Sequence, residues 1–101
     1  MPTSKRLNVA VVGATGLVGQ VMLKILAQRG FPAASVNAIA SERSVGAKIP
    51  YNGDALTIRR LDENAFKGMD VVMFAAGADV SLLYAPIAAE AGALVIDKSS
   101  A

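Results

Sequence analysis

Apolar and polar positions follow one another along this chain in two different periods, and the change of period is clearest near the N-terminus. Residues 9–12 form a continuous apolar run, which is typical of a parallel strand buried on both faces. Apolar residues then recur at helical spacing from about Leu17, and Gly30 followed by Pro32 marks the expected end of that helix. The pattern therefore predicts a strand, a tight turn and a helix in this order.

The middle of the chain predicts a second strand and a hairpin. Residues 35–40 are rich in Val, Ile and Ala and predict the strand. Residues 49 and 56–58 flank the dipeptide Asn52-Gly53, and an Asn-Gly pair between apolar positions is typical of a two-residue hairpin turn.

The second half predicts a helical turn, a buried strand, a helix and a last strand, over residues 62–67, 70–75, 80–91 and 93–96. Asp79 or Ser81 is expected to cap the helix at its N-terminus. Pro86 lies inside the helical pattern, so we expect it either to kink the helix or to delay its start to about Tyr84.

Strands and helices in this order predict an α/β fold that is Rossmann-like, with a mostly parallel sheet and helices on both faces. A complete dinucleotide-binding fold has two βαβ halves and about six strands, so we expect the second half to be incomplete here. The edge beside the last strand would then be uncovered, and copies of the chain could associate through it. Residues 1–101 are expected to form one domain.

Composition narrows the classes of function. With 53% hydrophobic and 18% charged residues, the chain is typical of globular proteins rather than disordered ones. The net charge is +2 and the basic residues are scattered, so we expect no nucleic-acid partner. Cysteine and histidine are both absent, so neither a metal site nor a catalytic residue is predicted. The N-terminal apolar run is too short for a signal peptide or a membrane span, so we expect a cytoplasmic protein with no membrane partner.

The turn between the first strand and the first helix carries the strongest functional signal. Glycines spaced three apart let the backbone approach a pyrophosphate without a Cβ in the way, and the start of a helix offers unpaired amide donors. An alternative is that the glycines serve only tight packing between strand and helix. We predict that this turn binds a dinucleotide cofactor through Gly13, Thr15, Gly16, Leu17, Val18 and Gly19.

The end of the second strand indicates which dinucleotide is bound. In NAD-binding domains an acidic residue near this position accepts hydrogen bonds from the ribose 2′-hydroxyl, whereas a 2′-phosphate requires donors and positive charge. Here Ser41, Arg43 and Ser44 supply two hydroxyls and a guanidinium, so we predict NADP(H) as cofactor. Glu42 lies among them, and we expect its side chain to point away on an alternating loop backbone. The alternative is an exposed arginine beside a serine-rich turn.

Small residues follow the strand predicted at 70–75. Ligands of open α/β sheets lie across the carboxyl ends of the strands, so Ala76 and Gly77 would leave room for the ribose and the diphosphate. Small residues are equally typical of a helix that packs tightly on a strand. The polar residues 97–100 at the end of the last strand are open to the same two interpretations, a ligand edge or a turn.

Together these motifs resemble the N-terminal, NADP-binding portion of aspartate-semialdehyde dehydrogenase. The resemblance implies an enzyme that reduces aspartyl 4-phosphate to aspartate 4-semialdehyde with NADPH, on the route to lysine, methionine and threonine. It also implies that the whole enzyme is a homo-oligomer. The resemblance rests on four segments in order: VVGATGLVG at 11–19, ASERS at 40–44, YAPIAAEAGA at 84–93 and VIDKSSA at 95–101.

The same resemblance implies a role for each matched residue. Residues 15–18 would contact the cofactor diphosphate. Arg43 and Ser44, together with Ser41, would hold the 2′-phosphate. Ala76-Gly77 would line the ribose side of the site.

Two departures from the family limit what can be carried over. The family's catalytic cysteine and its acid/base histidine are residue types that this chain lacks, and Lys98 stands where the family usually has asparagine. We therefore expect the chain to act as a fragment that binds cofactor without catalysing the reaction. Two alternatives remain open, the cofactor domain of N-acetyl-glutamyl-phosphate reductase and a free-standing module that binds or senses a dinucleotide. The 41–44 loop and the 96–100 ending favour aspartate-semialdehyde dehydrogenase over N-acetyl-glutamyl-phosphate reductase.

Overall fold

The computed structural model describes residues 7–30, 33–51 and 53–97, and its elements follow the predicted order except at residues 59–67. The last strand ends at Asp97, so the predicted polar residues 98–100 lie outside the described residues, as do Pro32 and Asn52 of the earlier predictions. The elements are β1 (Leu7–Val12), α1 (Leu17–Gln28), β2 (Ala33–Ala40), a 3₁₀ turn (Glu42–Ser44), β3 (Lys48–Tyr51), β4 (Asp54–Thr57), β5 (Arg59–Arg60), β6 (Val71–Phe74), α2 (Ala78–Glu90) and β7 (Leu94–Asp97).

In the described residues a five-stranded parallel sheet runs in the order β5-β2-β1-β6-β7, and this confirms the Rossmann-like fold. The register places Val12 beside both Ile39 and Phe74, so the central strands end level with one another. A complete dinucleotide-binding fold has about six strands in its sheet, whereas the sheet of the described residues has five. The level strand ends create the edge at which the site forms.

Each face of the sheet carries its own apolar core. Alternate residues of β1 point to opposite faces, because successive side chains of a strand do so. Ala10 and Val12 pack with residues of α2 and of the segment 61–69, whereas Val9 and Val11 pack with α1 and with the hairpin formed by β3 and β4. The helices therefore lie on opposite faces, as predicted.

A polar network at the amino end of the sheet fixes the strand register. The Asp70 N–H donates a hydrogen bond of 2.8 Å to the Asn8 carbonyl. In return, the Asn8 N–H donates to the Asp70 carboxylate, also at 2.8 Å. The Asn8 amide donates to the Gly68 carbonyl and accepts from the Ser35 hydroxyl. The network ties β1 to its two neighbours, since a slip of one residue would break all four bonds.

The hairpin is confirmed, because Tyr51 pairs with Asp54 and leaves a two-residue turn between β3 and β4. One strand was not predicted. Arg59 and Arg60 pair in parallel with the end of β2, as the short β5. Two consecutive arginines carry no apolar signal for a strand, and this strand has no buried side chain.

Two predictions in the second half are wrong. Residues 62–67 form successive turns with hydrogen bonds three residues apart rather than a helical turn, for instance from the Ala65 N–H to the Asp62 carbonyl. Helix α2 begins at Ala78, with Gly77 as N-cap, so its start is not delayed and neither Asp79 nor Ser81 caps it. The Gly77 carbonyl accepts the first hydrogen bonds of the helix, and Pro86 lies inside the continuous helix.

Candidate functional site

The turn after β1 is held tightly against the sheet. The Gly13 and Ala14 N–H groups both donate to the Ile39 carbonyl, at 2.8 and 3.2 Å. Gly13 has a φ of +87°, a conformation that residues with a Cβ rarely adopt. A Cβ at this position would also lie 2.7 Å from the Ala76 backbone nitrogen. The fold itself therefore requires glycine at position 13.

Gly19 meets the same turn from the helix side. It is buried in the first part of α1, and a Cβ there would lie 2.1 Å from the Gly13 carbonyl oxygen. The close contact between helix and turn is thus available only to glycine. Packing accounts for the glycines at both positions, and direct contact of either with a cofactor stays a prediction.

Gly16 differs from both. Its φ of −78° and ψ of 169° are open to any residue, and the one atom near a Cβ at this position would be the Gly13 carbonyl oxygen at an ordinary 3.4 Å. The fold therefore does not require glycine at position 16. Gly16 lines the cleft described below, so close approach of a ligand is one physical reason for the missing side chain, and the preference of helix N-caps for glycine is another.

The start of α1 offers hydrogen-bond donors to such a ligand. Gly16 is the N-cap, no side chain caps the helix, and its first turn contains no acidic residue. The first N–H groups of a helix have no partner within the helix, and the helix dipole adds partial positive charge at this end. An anion at this position would be stabilised by both effects.

A cleft of about 260 Å³ opens at the carboxyl ends of the strands, between the turn after β1, the end of β2 and the start of α2. The site residues predicted from the sequence that line it are Gly13, Thr15, Gly16, Ser41 and Ala76. The cleft also has an apolar lining that the sequence analysis missed, formed by Val12, Ala40, Leu61, Ala75 and Val80. Leu61 could not be assigned because it follows the unpredicted strand β5.

The other predicted residues lie beside the cleft rather than in its lining. Leu17 is 83% exposed and borders a separate apolar groove between α1 and the hairpin, and Val18 is exposed on α1. Arg43 and Ser44 belong to the 3₁₀ turn that follows Ser41. Gly77 is the N-cap of α2.

The loop after β2 does not alternate as predicted. The Ser44 N–H donates to the Ser41 carbonyl at 2.9 Å and closes the 3₁₀ turn. The Glu42 carboxylate forms an ion pair of 3.3 Å with Arg60 on β5 and does not line the cleft, and its orientation away from a bound phosphate stays a prediction. Within the described part of the chain the Arg43 side chain has neither an ion pair nor a hydrogen bond, so its guanidinium is available to a ligand.

The start of α2 is less suited to an anion than that of α1. Asp79 lies in its first turn, and the carboxylate oxygen Oδ1 is 3.5 Å from where a Gly77 Cβ would be. This negative charge opposes a second anion at the same place. Ser81, which the sequence suggested as a cap, is instead buried and donates its hydroxyl hydrogen bond to the Asp97 carboxylate at the end of β7.

Tyr51 lines the apolar groove between α1 and the hairpin. Burial raises the pKa of the Tyr51 hydroxyl above its usual value. Tyr51 borders the groove and does not line the cleft, so this shift has no part in the site.

Comparison with known proteins decides the family. The model for the semialdehyde dehydrogenase NAD-binding domain matches residues 8–101. The chain belongs to this family.

No helix in the described ranges has the length and apolar character needed to cross a membrane.

Relatives of this NAD-binding domain have a consistent name. The chain is 44% identical to aspartate-semialdehyde dehydrogenase from Rickettsia bellii and 48% identical to that from Corynebacterium glutamicum, with 96% and 93% of this chain covered. A crystal structure of aspartate semialdehyde dehydrogenase II from Vibrio cholerae, complexed with ASA, superposes with a TM-score of 0.90 at 42% identity over 95% of this chain. The chain spans 29% and 28% of the two relatives and 32% of the Vibrio cholerae chain.

The contrast among the glycines gives a test on stability. Gly19→Ala should lower the free energy of unfolding by about 2 kcal/mol or more, because the added methyl overlaps the Gly13 carbonyl. Gly16→Ala should change it by no more than about 1 kcal/mol, because the backbone and the space at this position accept a Cβ. Urea unfolding followed by circular dichroism measures both. Equal losses in the two variants would contradict the division between packing glycines and a ligand-facing glycine.

Proposed function

We propose that this domain binds NADP(H), and that it is the cofactor-binding part of an aspartate-semialdehyde dehydrogenase that reduces aspartyl 4-phosphate to aspartate 4-semialdehyde. The observation that carries the proposal is Gly16, a glycine at the mouth of the cleft that the fold does not require. The names of the relatives support the reaction. The relatives and the structure named above are aspartate-semialdehyde dehydrogenases, which favours this reaction over that of N-acetyl-glutamyl-phosphate reductase.

The diphosphate of the cofactor would lie against the start of α1. The uncapped first turn supplies N–H donors, and the missing side chain at Gly16 allows an oxygen to approach the backbone. Thr15 adds an exposed hydroxyl, while its carbonyl is held by the Gln20 side chain at 2.9 Å. Ala76, on the opposite wall, would leave room for the ribose.

The 2′-phosphate would lie beside the 3₁₀ turn. Ser41 and Ser44 supply hydroxyl donors, and Arg43 supplies a guanidinium that no described carboxylate engages. Hydrogen bonds from a guanidinium to a phosphate are charge-assisted and are among the stronger polar contacts in proteins. Glu42, the acidic residue of this loop, is paired with Arg60. These features support NADP(H) over NAD(H).

The chemistry of the proposed enzyme is divided between cofactor and protein. NADPH, when bound, supplies the hydride. The residues of this domain hold and orient the cofactor, and the sequence of 101 residues contains neither cysteine nor histidine. A thiolate nucleophile and an imidazole acid/base would therefore have to come from protein outside this sequence.

We further propose that the whole enzyme is a cytoplasmic homo-oligomer that serves lysine, methionine and threonine biosynthesis.

Cofactor preference tests the 2′-phosphate site. The domain should bind NADPH more tightly than NADH, and Arg43→Ala should weaken NADPH binding by roughly 1.5–3 kcal/mol, the usual value of a charged hydrogen bond. Isothermal titration with each nucleotide measures the preference. Arg29→Ala is the matched control, since Arg29 is an exposed arginine at the far end of α1. Equal affinities for the two nucleotides, or an Arg43→Ala variant with wild-type preference, would contradict the assignment.

The diphosphate contact has its own test. Gly16→Val should abolish NADPH binding, because the branched side chain fills the volume that the phosphates need. The far-ultraviolet circular dichroism spectrum and the fold should stay close to wild type, since the Gly16 backbone is extended and a Cβ meets no close atom. Retained binding together with a large loss of stability would show that Gly16 serves packing instead.

The chain of 101 residues should bind cofactor without turning it over. Aspartate semialdehyde, phosphate and NADP⁺ should give no NADPH absorbance with this chain, because it has no nucleophilic thiol. Its affinity for 2′,5′-ADP should be close to that for NADPH, since the proposed contacts lie on the adenosine half of the cofactor and 2′,5′-ADP keeps the 2′-phosphate and the 5′-phosphate of that half. Turnover that persists after removal of host enzyme, or a much weaker affinity for 2′,5′-ADP, would contradict this expectation.

A further inference from the structure

The short strand β5 places an arginine at the rim of the cleft. Arg60 pairs with Ala40 at the end of β2, and the Leu61 N–H donates to the Ala40 carbonyl at 3.3 Å. Ala40, Ser41 and Leu61 all line the cleft. One wall of the cleft therefore consists of the ends of two neighbouring strands.

An ion pair joins these two ends. Glu42 directly follows Ser41, and Arg60 directly precedes Leu61, so the 3.3 Å ion pair joins residues that are next in sequence to two lining residues of the cleft. Both side chains are largely exposed, at 77% and 63%. An exposed pair of this kind contributes little to folding stability. The pair is therefore of interest for ligand binding rather than for folding, because it lies next in sequence to the lining residues Ser41 and Leu61.

Glu42 stands between Ser41 and Arg43 in the sequence, two of the residues proposed to hold the 2′-phosphate, although it does not itself line the cleft. In dinucleotide-binding folds an acidic residue at the end of this strand favours a free ribose 2′-hydroxyl. A carboxylate near a 2′-phosphate raises the free energy of the bound state, because both groups are negative. Without a cation beside it, Glu42 would thus shift the preference from NADPH towards NADH.

We infer that Arg60 is a specificity-determining residue, which acts by pairing with Glu42 rather than by contacting the cofactor. The ion pair offsets the charge of the carboxylate and holds it towards β5, and Arg43 is left to meet the phosphate. The inference rests on the proposed binding of NADP(H). It names a residue in a strand that the resemblance did not include.

The neighbouring arginine provides a matched control. Arg59 lies on the same strand, is exposed and carries the same charge. Its guanidinium donates to the Asn37 side-chain oxygen at 3.0 Å and has no ion pair with Glu42. Arg59→Gln therefore removes one positive charge from β5 and leaves the Glu42–Arg60 pair in place.

The test compares affinities for NADPH and NADH in four proteins besides wild type: Arg60→Gln, Glu42→Gln, the double variant and Arg59→Gln. Arg60→Gln should lower the ratio of the two affinities by about two- to fivefold, the effect of one exposed charge contact. The double variant should restore the ratio at least to the wild-type value, because the opposing carboxylate is gone. Arg59→Gln should keep the wild-type ratio. The Arg60→Gln effect should shrink between about 0.02 M and about 0.5 M salt.

Each other outcome has a definite meaning. If the double variant stays as low as Arg60→Gln, Arg60 contacts the phosphate directly and the inference is wrong. An equal loss in Arg59→Gln would show an unspecific effect of charge and would also overturn it, as would an unchanged ratio in all four variants. A wild type that prefers NADPH with unchanged variants leaves the proposed function standing. A wild type that binds neither nucleotide overturns the proposed function and this inference together.

Discussion

The contact between Gly13 and Gly19 is the constraint on which the site depends. A helix can begin directly above the end of β1 only if both residues lack a side chain, since a Cβ on Gly19 would overlap the Gly13 carbonyl and one on Gly13 would overlap the loop after β6. This contact brings the start of α1 down to the level at which β1, β2 and β6 end together. The donors of the helix therefore face the cleft, and Gly16 lies at its mouth.

Polarity is distributed around the cleft in a way that suits an extended anion. The first turn of α1 has no acidic residue, whereas the first turn of α2 contains Asp79. In the 3₁₀ turn that follows the lining residue Ser41, Arg43 has no described partner and Glu42 is paired with Arg60. A ligand with negative charge at its middle and at one end would meet favourable groups at both places.

Much of the fold could be predicted from the sequence, because apolar periodicity and glycines report directly on buried strands and sharp turns. The first βα unit, the hairpin at Gly53 and the strand before Ala75 are examples. The strand of Arg59 and Arg60 could not be predicted, since backbone pairing with β2 rather than apolar burial creates it. The start of α2 was missed because its N-cap is Gly77, which has no side chain that could signal a cap and offers only its carbonyl to the first helical N–H groups. The Ser81 hydroxyl, which the sequence suggested as a cap, instead donates a hydrogen bond to Asp97, sixteen residues further along the chain. The ion pair of Glu42 depends on β5, so the local sequence around the 3₁₀ turn contains no signal for it.

We propose that a dinucleotide lies across the strand ends, with its diphosphate at Gly16 and its 2′-phosphate at Arg43. Amide chemical shifts of the ¹⁵N-labelled chain, followed during titration with NADPH, test this claim most directly. We expect the largest changes at Thr15, Gly16, Leu17 and Val18 and in the 3₁₀ turn Glu42–Ser44, with little change along the hairpin. Changes confined to the apolar groove between α1 and the hairpin, or no change at saturating NADPH, would contradict it.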